Sequence, residues 1–107
     1  MRDICCSSMA IKIALFRSLG LRTQTIQMSM DGGFEQVGYL GTNLLKNDVQ
    51  VTTQAGDIVL YAGNQIVMFY GSNSWAYTRL GRITDQTADE MKVLLGNGDV
   101  AITISED

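Results

Sequence analysis

The chain has 107 residues, of which 46% are hydrophobic, and this length and composition suit one small globular domain. Its formal net charge of -3 argues against a protein that binds nucleic acid by neutralising phosphates. No segment approaches the roughly 18 uninterrupted apolar residues of a membrane-spanning helix, so we expect a soluble, cytoplasmic protein without a membrane partner.

The first part of the chain carries signals for a helix. Ser7 and Ser8 are acceptable N-caps and Gly20 is a natural stop, so the sequence predicts a helix over residues 9–19. Its apolar residues spread over a wide arc with Lys12 near the middle, which makes the amphipathic face weak. We expect Lys12 either to extend its charged end into solvent or to mark a segment that is not docked as a core helix.

Alternating polar and apolar residues come next. Residues 23–29 and 49–53 show this alternation, which is typical of half-buried strands. Between them, the glycine-punctuated residues 34–45 predict only a short extended piece.

Residues 56–83 hold the longest run of β-favouring side chains. Two turn signals divide this run into three predicted strands, over residues 58–61, 65–70 and 75–83. The first two are predicted to form an antiparallel hairpin in which Gly63 and Asn64 take positive φ. Gly81 lies inside the third strand and predicts a bulge or a corner.

The end of the chain predicts a second helix and a last strand. Thr87 opens the predicted helix, Glu90 three residues later completes a capping box, and Gly96 ends the helix. The predicted last strand covers residues 100–104. The pattern as a whole is mainly β with two short helices.

Two segments carry a family resemblance. AGDIVLYAGNQIVMFYGSNSWAYTRLGRI and GYLGTNL resemble a bacterial family of small proteins with a cyclophilin-like fold, and the resemblance extends over residues 25–104. It implies one domain over residues 1–107, built as a small closed or partly open β-barrel capped by two short helices. It implies no defined reaction.

The start of the chain departs from that family. The family begins with a strand hairpin before its first helix, whereas only six residues precede Ser7 here. We therefore expect residues 1–22 to form an atypical or truncated start. A barrel without that hairpin has two unpaired edges, which predicts a homo-oligomer or a partner that adds a strand.

Catalysis has little support in the sequence. Prolyl isomerases of the cyclophilin type use an arginine, an aromatic pocket and usually a His, but this chain has no His and lacks their motifs. Arg79 is either a cation in a cleft or a partner of Asp57 or Asp85 in a salt bridge, and Arg82 is expected on the opposite face of the strand. We predict no catalytic residue, metal site or cofactor, and a weak prolyl isomerase is the enzymatic alternative.

Aromatic residues in the central strands predict a binding surface. They form either an aromatic platform for a ligand or, alternatively, the packing that closes the barrel, with Trp75 as a plug. Neighbouring polar residues either contact the ligand or stabilise turns. The candidate residues are Tyr61, Asn64, Gln65, Tyr70, Asn73, Trp75, Tyr77 and Arg79. The sequence thus predicts a non-catalytic barrel that binds a small molecule or a peptide segment.

Overall fold

The computed structural model describes residues 2–6, 9–15 and 24–106, with side chains for residues 25–103. These residues form ten strands and one helix, so the mainly β prediction is confirmed. The first five strands are β1 Arg2–Cys6, β2 Met9–Leu15, β3 Gln24–Gln27, β4 Ser29–Asp31 and β5 Glu35–Tyr39. The remaining elements are β6 Val49–Thr52, β7 Asp57–Tyr61, β8 Gln65–Phe69, β9 Ser74–Ile83, α1 Ala88–Leu95 and β10 Ala101–Glu106.

Nine strands follow one antiparallel path in the order β3-β10-β1-β2-β9-β7-β8-β5-β4. The strands at the two ends of this path, β3 and β4, are consecutive in the chain and are separated by Met28 alone. This segment pairs first with β10 and then with β5, and the Met28 amide donates to the Val100 carbonyl at 2.7 Å. The sheet is therefore rolled, but no strand ladder joins its edges. The closed form of the predicted barrel is wrong for the described residues.

The predicted helix over residues 9–19 is wrong over its described part, because residues 9–15 form β2. Ile11 and Ile13 alternate with Lys12, and this period of two suits a strand. β2 pairs with β1 from Met9 opposite Cys6 to Ile13 opposite Arg2. Residues 16–19 of the predicted helix lie outside the described residues, which contain one helix rather than two.

The hairpin of β1 and β2 fills the position between β10 and β9. The sequence predicted an atypical start because residues 1–6 are too short for two strands, whereas the hairpin takes residues 9–15 as its second strand. The sequence assigns residues 9–15 to a helix, and for that reason it does not predict the hairpin. The unpaired edges expected from a missing hairpin are therefore not found there.

The main hydrophobic core fills the inside of the rolled sheet and is covered by α1. Met91 and Leu95 of the helix are fully buried against it. The predicted capping box is confirmed: the Glu90 amide donates to the Thr87 hydroxyl at 3.1 Å, and the Thr87 amide donates to the Glu90 carboxylate at 2.8 Å. Gly96 follows the helix and its amide donates to the Lys92 carbonyl.

The predicted antiparallel hairpin of β7 and β8 is confirmed, although its turn differs in detail. Positive φ values occur at Ala62 (54°) and Gly63 (79°). The sequence predicted them at Gly63 and Asn64. Consecutive positive φ values suit the right-handed twist of the flanking strands. Both strands are buried on both faces along most of their length.

The bulge predicted near Gly81 is confirmed. Ile58 pairs with Gly81 and Val59 with Arg79, so Leu80 is the extra residue on β9. The extra residue shifts the alternation of side chains. As a result Arg79 and Arg82 both reach the same side of the sheet, and the prediction that they face opposite ways is wrong.

Candidate binding groove

A second hydrophobic cluster lies on the face of the central strands that points away from the main core. Strand alternation places Val67 and Phe69 of β8 on this outer face while Ile66 and Met68 point inward. Tyr77 of β9 completes the cluster at its centre. This face therefore has its own hydrophobic floor.

Four aromatic rings run continuously across that floor. Phe34 and Phe69 are stacked with ring centroids 6.4 Å apart and an interplanar angle of 7°. Phe69 meets Tyr77 edge-to-face at 5.7 Å, and Tyr77 meets Tyr61 in the same way at 6.1 Å. These geometries are those that aromatic quadrupoles favour, so the rings hold each other in place.

An open groove of about 560 Å³ lies above three of these rings, those of Phe34, Tyr61 and Tyr77. Such a volume is typical of sites for small molecules. Tyr39, Tyr61, Trp75 and Tyr77 contribute aromatic surface to its lining. Trp75 is 56% exposed, so its indole is accessible from solvent.

Glu35 is the unusual polar residue of the groove. It is only 6% exposed, and within the described part of the chain its carboxylate has no hydrogen bond or ion pair. Burial, together with the negative charge of Asp31 opposite it on β4, raises the pKa of Glu35 to about 7. The carboxyl group therefore titrates near neutral pH, which is characteristic of functional sites.

Tyr77 lies within the electrostatic reach of this acid. Burial is the main cause that raises the pKa of the Tyr77 hydroxyl, and the charges of Glu35 and Asp31 add to it. The Asn73 side-chain amide opposes this shift by donating a hydrogen bond to the hydroxyl oxygen at 2.8 Å. The hydroxyl therefore stays protonated around neutral pH.

Comparison with known proteins identifies the family. The sequence model of the cyclophilin-like family matches residues 10–105. The chain belongs to the cyclophilin-like family. No curated protein and no solved structure matches the chain.

Family membership confirms the resemblance seen in the sequence and supports the β-rich fold. Two further findings concern the described residues of this cyclophilin-like protein. None of their helices is long and apolar enough to cross a membrane. No group of three or more His, Cys, Asp or Glu residues among them is placed to hold a metal ion.

The structure brings five of the eight candidate residues of this cyclophilin-like protein into the groove. They are Tyr61, Gln65, Asn73, Trp75 and Tyr77. A Trp side chain that plugged the barrel would be buried, whereas Trp75 is largely exposed. The packing alternative for this residue is therefore wrong. Tyr77, by contrast, is buried and serves both the hydrophobic floor and the groove.

Three candidates lie outside the groove lining. Arg79 has its Nη1 3.7 Å from the Asp57 carboxylate, which is the salt-bridge alternative for that residue. Tyr70 is packed in the main core. Asn64 follows the β7–β8 turn, where its carbonyl accepts a hydrogen bond from the Leu40 amide at 2.9 Å.

The sequence reasoning missed Glu35 and Asp31. These residues are direct partners across the β4–β5 hairpin, whose turn contains Gly32 and Gly33 with φ values of 64° and 75°. Two adjacent glycines are a turn signal in the sequence. Treating that turn as the centre of a hairpin would have placed the two carboxylates opposite each other.

Proposed function

We propose that this cyclophilin-like protein binds a small molecule or a peptide segment in the groove and does not catalyse a reaction there. The observation that carries the proposal is an exposed indole beside a concave surface with an ordered aromatic floor. Aromatic side chains supply large contact areas with few rotatable bonds, and ligand sites are concave surfaces lined in this way.

The rim beside Trp75 is held in place before any ligand arrives. The Asn73 amide donates to the Thr53 hydroxyl at 3.0 Å, and that hydroxyl donates to the Asn73 carbonyl at 3.0 Å. The Asn73 side chain is bonded to Tyr77 at the same time. A rim that is already ordered loses less conformational entropy on binding, which favours affinity.

The alternatives gain no comparable support. A cyclophilin-type isomerase needs an arginine beside the proline amide, but Arg79 contacts Asp57 and does not line the groove. The strand-adding partner was inferred from a missing hairpin, and β1 and β2 occupy that place. Neither alternative explains the aromatic groove.

Trp75 fluorescence tests the proposal, because Trp75 is the only Trp in the chain. The protein is titrated with a panel of short peptides and planar aromatic compounds while the emission spectrum is recorded. At least one compound is expected to shift the emission in a saturable manner.

Variants then locate the bound compound. Tyr39→Ala removes a groove ring that is 69% exposed, so it is expected to weaken binding by several-fold without unfolding the protein. Val93→Ala is the matched control, because Val93 is exposed on α1, away from the groove. A panel without any saturable shift, or equal losses in both variants, would overturn the proposal.

A further inference from the structure

Among the described residues, the charged side chains that line the groove are all acidic. Its charged lining residues in the described part of the chain are Asp31 and Glu35, and neither Lys nor Arg contributes to it. The two arginines of β9, Arg79 and Arg82, contact Asp57 instead. A negatively charged ligand entering the groove would therefore meet two carboxylates and no compensating cation.

The environment of Glu35 is a second indication of a cationic ligand, because two acidic residues alone do not define a site. Glu35 is only 6% exposed and lines the groove, and no described residue donates a hydrogen bond to its carboxylate or forms an ion pair with it. A partly desolvated carboxylate without a partner is energetically unfavourable, and pairing with a cation relieves that cost. The Glu35 carboxylate is therefore available as the negative partner of an ion pair with a ligand.

The aromatic surfaces favour the same class of ligand. Cations are attracted to the faces of Trp and Tyr rings, and the groove offers Trp75 together with Tyr39, Tyr61 and Tyr77. A hydrated metal ion would use few of these rings, and the described residues offer no third His, Cys, Asp or Glu beside the acidic pair. An organic cation uses both the rings and the carboxylates.

We propose that the groove recognises an organic cation, an ammonium or guanidinium group, that lies against the aromatic rings and pairs with Glu35. Asp31 adds a second negative charge at the same end of the groove. The inference rests on the proposed function, since it specifies the chemical class of the ligand bound there. A side chain of Arg or Lys in a peptide and a small organic amine share this chemistry.

Binding is expected to depend on pH. The pKa of Glu35 is raised to about 7 in the free protein, and only the ionised carboxylate pairs with a cation. Affinity should therefore rise by about tenfold from pH 6 to pH 8, as the ionised fraction increases from roughly a tenth to nine tenths. The other titratable groups that line the groove are Asp31, Tyr39, Tyr61 and Tyr77.

The test compares a cation with its neutral isostere. N-acetyl-arginine amide and N-acetyl-citrulline amide have nearly the same shape, but only the first carries a charge. Each is titrated into the full chain at pH 6 and pH 8, with Trp75 fluorescence and calorimetry as readouts. The arginine derivative is expected to bind at least tenfold more tightly than the citrulline derivative at pH 8.

Variants assign the preference to the carboxylate and to the rings. Glu35→Gln keeps the shape of the side chain and should abolish both the preference for arginine and the rise in affinity with pH. Tyr61→Leu should weaken the arginine derivative by several-fold while leaving the pH trend in place. Asp89→Asn is the control, because it neutralises an exposed carboxylate on α1 and should change neither.

Two results would overturn the inference. Equal affinity for the two derivatives would exclude cation recognition while leaving ligand binding in the groove intact. Cation recognition would also be excluded if the arginine derivative failed to bind while an uncharged aromatic compound still shifted the Trp75 emission. Failure of every compound, charged or neutral, would instead remove the proposed function itself.

Discussion

Replacing Glu35 with Gln should remove a pH-dependent loss of stability from the protein. In the folded state the pKa of Glu35 is raised from its ordinary value of 4.5 to about 7, mainly by burial. Between these pH values the folded protein holds a proton that the unfolded chain releases. The free energy of unfolding therefore falls as the pH rises through this window, and the full loss is present above pH 7.

The size of the effect follows from the two pKa values. The difference between 4.5 and 7 corresponds to an upper limit of about 3.5 kcal/mol, because one pKa unit is equivalent to about 1.4 kcal/mol. Solvent screening at the open side of the groove reduces this figure, so we expect roughly 1–3 kcal/mol. Gln does not ionise, and the Glu35→Gln variant should lack this contribution.

Urea unfolding at a series of pH values between 4.5 and 8 measures the effect. The free energy of unfolding of the variant minus that of the wild type should increase by roughly 1–3 kcal/mol from pH 4.5 to pH 8. The same measurement on Asp89→Asn, which neutralises an exposed carboxylate, controls for net charge. A difference that stayed constant with pH, or that decreased, would refute the assignment of Glu35 as a buried acid that titrates near neutrality.

Two further predictions concern the fold that supports the groove. Arg82→Met removes the group 2.7 Å from the Asp57 carboxylate, which is 1% exposed, and should cost about 2–4 kcal/mol in urea unfolding. Arg79→Met breaks a 3.7 Å contact of a half-exposed side chain and should cost less than about 1 kcal/mol, so equal losses would contradict this account. Gly38→Ala would place a Cβ 2.6 Å from the Cγ2 atom of Ile26 on β3 and should cost about 1–3 kcal/mol by overpacking. An unchanged melting temperature of that variant would show that the edge segment does not lie against β5.

Local signals were sufficient for the middle and the end of the fold. The β7–β8 hairpin and α1 have apolar runs with clear boundaries, such as the Thr87 cap and the Gly96 stop. The first strands were missed because the signals conflicted there. Ser7 and Ser8 resemble helix caps, whereas the alternation in residues 9–15 suits a strand, and pairing with β1 and β9 decides between them.

The site could be predicted only in part, for a related reason. Aromatic side chains are visible in the sequence, and alternation places Trp75 and Tyr77 on one side of β9, where both line the groove. The register between strands is a tertiary property. It brings Asp31 opposite Glu35, and the bulge at Leu80 brings Arg82 to the face of Arg79, where both contact Asp57.

An NMR titration with N-acetyl-arginine amide tests most directly the claim that the groove binds an organic cation, because it locates the ligand on the protein. We expect the largest changes in ¹H–¹⁵N shifts at the Trp75 indole and at the amides of β5, which carries Glu35. Shift changes confined to α1, or their absence at the indole and at β5, would contradict it.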